Sequence, residues 1–75
     1  LITEREIMSD RSFVLHVIPQ ARYMNLAGHH CIDDDYNDRY LAYGTSSRAK
    51  AWREAKRFLE RRIAEGKLPA PHVTK

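Results

Sequence analysis

The run His29–His30–Cys31 followed by Asp33–Asp34–Asp35 is the densest cluster of chemically capable side chains in this sequence. Cys, His and carboxylate are the ligands that zinc takes, and a structural zinc site uses four of them. On a strand, neighbouring side chains point to opposite faces, so His29 and Cys31 can share a metal while His30 points away. His72 is distant in sequence, and two ligands do not make a site. The three aspartates offer oxygen to a hard cation. The calcium-loop pattern of alternating acidic residues, central Gly and final Glu is missing, however. Cys31 beside a histidine pairs a nucleophile with a base, but no G-x-S-x-G turn accompanies it, nor does a Gly-rich phosphate loop. A chain of 75 residues also has little room to enclose a drug-sized pocket. These residues therefore predict a non-enzymatic chain, with Cys31 buried, the histidines at the surface, and no catalytic residue, metal or cofactor. His16 reads as an ordinary strand residue.

The second candidate is electrostatic. Lys50, Arg53, Lys56, Arg57 and Arg61 recur at helical spacing on one side of residues 45–66. Over residues 44–67 there are eight Lys or Arg against three Glu, a net of +5, whereas residues 1–43 carry a net of −3. The overall charge of +3 thus hides a polarised molecule. A row of cations can lie along phosphates, with binding that weakens steeply as salt rises. Tyr23, Tyr36, Tyr40 and Tyr43 can add base or sugar contacts where they face outward. The competing reading is a solvated helix face. Glu54, Glu60 and Glu65 interrupt the basic row, and Lys50–Glu54, Lys56–Glu60 and Arg61–Glu65 are i,i+4 pairs in the weaker orientation. The expected partner is nucleic acid or an acidic protein surface, with no membrane and with a homodimer as an open alternative.

The element that must carry this face is one long amphipathic helix over residues 45–66. Thr45, Ser46 and Ser47 supply start signals. Gly66 supplies a left-handed stop, and Pro69 and Pro71 forbid continuation. Trp52, Ala55, Leu59 and Ile63 form its apolar stripe, widened by Ala51 and Phe58. Arg48 and Arg62 sit near that stripe, and the acidic turn 33–38 is expected to neutralise one of them.

Ahead of the helix, Leu1–Asp10 reads as a loose segment or short helical turn, with Thr3 and Glu6 in capping-box positions. Arg11–Ile18 reads as a strand, rich in β-branched and aromatic residues and ended by Pro19. Ala21–Ile32 reads as a second strand with Gly28 as a bulge or its end, and a short helix over residues 20–27 as the alternative. Residues 33–38 read as an acidic turn. Arg39–Tyr43 reads as a third strand, against a helix over residues 34–43. Residues 68–75 read as an extended tail.

The expected fold is α+β: a small three-stranded antiparallel sheet packed against one long C-terminal helix, in a single domain over residues 11–67. The predicted core is Phe13, Leu15, Val17, Met24, Leu26, Leu41, Trp52, Ala55, Leu59 and Ile63. The sheet's other face, with Val14, Ile18 and Tyr23, is left for a partner. One cysteine cannot form an internal disulfide, which favours a reducing, cytoplasmic setting. No run approaches the eighteen apolar residues of a membrane span.

The run Tyr40–Leu59, YLAYGTSSRAKAWREAKRFL, resembles the last strand and helix of AP2-like and integrase amino-terminal DNA-binding domains. That likeness implies a three-stranded sheet on one helix, with the sheet reading the major groove. The same run is similar to the end of double-stranded RNA-binding domains, although Arg48–Ala49 stands where a Lys-Lys pair is expected. HicB-type antitoxins share the entry Gly44–Thr45 and the exit Gly66–Lys67–Leu68–Pro69. These likenesses concern fold alone and assign no site residue. The leading expectation is a small nucleic-acid-binding regulator. The alternative is a protein-interaction module such as an antitoxin, a phage-type inhibitor or an adaptor, acting through the sheet face or as a dimer.

Overall fold

The computed structural model describes residues 9–68. The element order is α1 (Asp10–Val17), β1 (Ala21–Leu26), β2 (His29–Asp34), a 3₁₀ turn (Asp35–Asn37), β3 (Arg39–Thr45) and α2 (Arg48–Ala64). The sheet is antiparallel in the order β1-β2-β3. The architecture is the expected α+β fold, with a second helix added. Apart from Ser9, Asp10 and Leu68, the predicted N-terminal turn and C-terminal tail lie outside the described residues.

The second helix replaces the predicted strand Arg11–Ile18. Ser9 caps it by accepting a hydrogen bond from the Ser12 N–H at 3.1 Å, and Asp10 adds a carboxylate to the first turn. Phe13, Val14, Val17 and Ile18 then fall on one face at helical spacing, and Phe13 and Val14 are fully buried. A short, mostly apolar run fits either period, and the cap tips it to helix. Pro19 ends it by pushing Ile18 out of the α region, to φ −125° and ψ 87°. As a consequence Val14 and Ile18 are core residues and cannot form an open sheet face.

The single strand expected over residues 21–32 is a hairpin. Its two-residue turn, Ala27–Gly28, has φ of 52° and 90°, the primed geometry that matches strand twist. The Asn25 side-chain oxygen accepts from the Gly28 N–H at 2.8 Å and braces the turn.

β3 carries the other irregularity. Its pairing with β2 slips between Ile32 and Asp33 and again between His30 and Ile32. The first bulge lets the adjacent residues Leu41 and Ala42 both be buried, which regular alternation forbids. The 33–38 segment is also not wholly a turn, because Asp33 and Asp34 complete β2.

α2 begins three residues later than expected. Ser47 is its cap, accepting from the Lys50 N–H at 3.2 Å. It ends in a Schellman motif, with the Gly66 N–H on the Ile63 carbonyl at 3.0 Å and the Lys67 N–H on the Arg62 carbonyl at 2.9 Å. Gly66 takes φ 76° there. Ala51, Trp52, Ala55 and Leu59 of α2 join Phe13, Val14, Ile18, Ala21, Ile32, Leu41 and Ala42 in the core, with Leu15, Val17, Ile63 and Leu68 partly buried around it. Met24 and Leu26 were expected inside. They point instead to the face of the sheet away from α2, and Leu26 is 36% exposed.

Candidate nucleic-acid interface

The side chains of α2 that point away from the core make an outward ridge. Lys50, Arg53, Arg57 and Arg61 are exposed along it. Successive members of Arg53, Arg57 and Arg61 lie four residues apart, about 6 Å along the helix axis. Lys56 does not belong to this ridge. Its Nζ lies 3.6 Å from the Asp10 carboxylate and 5.5 Å from the centre of the Phe13 ring. It pins α1 to α2, so the predicted five-cation face has four outward members. The other ion pair of the α2 region, Lys67–Glu65 at 3.9 Å, lies beyond the helix end. The i,i+4 pairings that threatened to neutralise Lys50 and Arg61 do not appear among the ion pairs of the described residues.

The cations near the apolar stripe are not held by the acidic segment, as had been expected. Arg48 lies over the Tyr23 ring at 4.7 Å, and Arg62 lies over Phe58 at 5.8 Å. The aspartates are taken by the sheet's own arginines. Arg22 bonds Asp33 at 3.1 Å, and Arg39 bonds Asp34 at 2.9 Å.

Asp34 is fully buried. Burial pushes its carboxyl upward, but hydrogen bonds from Asn37, Arg39 and Gln20 outweigh that and hold it below its ordinary value of 3.8. Gln20 donates at 2.8 Å and Asn37 at 2.9 Å, so one carboxylate ties the start of β1, the 3₁₀ turn and the start of β3 together. The Arg39 guanidinium in turn lies 5.7 Å from the Phe58 ring of α2.

The tyrosines are distributed over both faces of the sheet. Tyr23 faces α2, and its hydroxyl shares a 2.6 Å hydrogen bond with His30 Nδ1. Tyr40 and Tyr43 are on the opposite, open face, 44% and 61% exposed. There they form an edge-to-face pair with centroids 4.9 Å apart, and Tyr43 stacks on His29. Tyr36, on the 3₁₀ turn, is the most exposed of the four. Tyr40 and Tyr43 thus lie on the layer opposite the ridge.

His29 and Cys31 share the open face as strand alternation requires. Cys31 is buried, with its thiol on the His29 carbonyl at 3.3 Å, and no group of three or more metal-ligating side chains gathers among the described residues. No helix among the described residues is long and apolar enough to cross a membrane.

Against the AP2-like expectation of one helix, the chain places a helix ahead of the sheet as well. Comparison with protein-family models, with curated proteins and with solved structures finds no match to this chain.

Proposed function

We propose that this chain is a small non-enzymatic regulator that binds nucleic acid through the outward ridge of α2. One observation carries the reading. Lys50, Arg53, Arg57 and Arg61 are exposed on a single face, while the ion pairs of the sheet occupy Asp33, Asp34 and Asp35 elsewhere. A row of like charges kept in water costs the fold some repulsion and suits a polyanion. Phosphate contact of this kind positions a ligand and reads no sequence.

The test is fluorescence anisotropy of labelled DNA and RNA, single- and double-stranded, at several salt concentrations. Four phosphate contacts give a slope of log K against log salt of about −3.6 for duplex DNA and about −2.8 for a single strand. The variant R53E/R57E/R61E, checked for folding by circular dichroism, is expected to lose binding. Full binding by the folded variant refutes the ridge.

A second reading rests on the open sheet face. Leu26, Tyr40 and Tyr43 are exposed there beside Met24 and His29, a surface that suits a protein partner or a second copy of the chain. Sedimentation as a dimer that Y40E/Y43E converts to monomer supports it. A monomer at all concentrations removes the second-copy version.

A further inference from the structure

A groove between β3 and α2 borders the ridge directly. Its volume is about 360 Å³, at the low end of the roughly 300–1,000 Å³ typical of small-ligand sites. Tyr43 and Gly44 contribute to one wall, and Glu54, Phe58 and Arg61 form the other. Arg61 therefore belongs to both features. A phosphate held on Arg61 places its own nucleoside at the groove mouth.

The β3 wall is the bulged part of the strand. Leu41 is an extra residue between Tyr40 and Ala42, Tyr43 and Gly44 together stand against Cys31 of β2, and β3 is the edge of the described sheet. Bulges take backbone out of the regular ladder and recur beside binding sites. The half-buried Phe58 ring, steadied by Arg39 and Arg62, gives the groove an apolar floor. The exposed carboxylate of Glu54 is an acceptor at its rim.

We propose that this groove receives one unpaired nucleobase of the strand whose phosphates lie on the ridge, with guanine favoured by Glu54. Guanine carries two adjacent N–H donors on its Watson–Crick edge, and a carboxylate accepts both together. A base inside a duplex has that edge occupied, so the groove selects single strands, loops or ends. The inference rests on the phosphate reading of the ridge and adds the base to it. It also gives Glu54 a role beyond interrupting the basic row.

The experiment compares labelled oligothymidylate, the same strand carrying isolated guanines, and the duplex of the latter. Wild type, E54Q and R57E are titrated at low salt and at two higher salt concentrations. The wild type is expected to bind the guanine-bearing strand about tenfold tighter than oligothymidylate, and tighter than its duplex. E54Q is expected to bring the two strands level while leaving the salt slope unchanged. R57E is expected to weaken both strands alike. Equal binding of the two strands by wild type, or a guanine preference that survives in E54Q, overturns the groove and leaves the ridge standing. No binding of any strand at low salt overturns both.

Discussion

Replacing Asp34 tests how the sheet is anchored under α2. Asp34→Asn keeps the volume but presents an amide to side chains that donate. The native carboxylate accepts from Gln20, Asn37 and Arg39 at 2.8, 2.9 and 2.9 Å, and it is fully buried. Breaking one partner of a buried pair costs about 3–5 kcal/mol. Arg39 keeps 28% of its side chain in water, so it rehydrates in part, and the expected loss is about 2–4 kcal/mol. A chain of this size has about 4–11 kcal/mol of stability in total. A Tm fall of at least about 10 °C follows.

The pH dependence gives the sign. The folded-state pKa of Asp34 lies below 3.8, so its contribution is fully present above the unfolded value. It is lost as pH falls through the folded value. Urea melts followed by Trp52 fluorescence, from pH 7 down to pH 2, should show a constant gap between wild type and D34N above about pH 5. The gap should close in the acid range. A gap that persists unchanged to pH 2, or a D34N protein as stable as wild type at pH 7, refutes the anchoring role.

Other variants follow from the same geometry. Ala27 holds a left-handed position at φ 52°, so Ala27→Gly should stabilise the protein by up to about 1 kcal/mol in urea melts. Trp52→Ala should cost about 3–5 kcal/mol from lost packing. Trp52→Phe should cost far less, because the indole N–H is buried without a hydrogen-bond partner among the described residues and its removal relieves that penalty. Lys56→Ala should lower stability by about 0.2–1 kcal/mol through the loss of its contact with Asp10, and should leave the salt slope of nucleic-acid binding unchanged.

α2 and β3 are legible in the sequence because their signals are local. Ser47 and Gly66 bracket the helix, its apolar stripe has one period, and Arg39–Tyr43 lies wholly within β3. The rest was set by information the local pattern does not carry. The run Phe13–Ile18 is apolar except at His16, so its period is ambiguous and only the Ser9 cap favours helix. The hairpin at Ala27–Gly28 lacks the Asn or Asp that usually announces such a turn. Asp34 sits in an acidic run that looks solvated, and only the fold brings Gln20 and Arg39 to it. Lys50, Arg53, Arg57 and Arg61 are exposed along α2, as their helical spacing predicts. Lys56 turns aside because its partner, Asp10, comes within reach only when α1 is a helix. The groove has no sequence signature, since its β3 wall depends on two register slips.

The most direct test of the central claim is the salt dependence of nucleic-acid binding for wild type and Arg57→Glu. For wild type, the slope of log K against log salt is expected to be about −2.8 on a single strand and about −3.6 on duplex DNA. A shallower slope and weaker binding are expected for a folded Arg57→Glu protein. Absence of binding at low salt, or a slope that Arg57→Glu leaves unchanged, contradicts the assignment of the α2 ridge as a phosphate-binding surface.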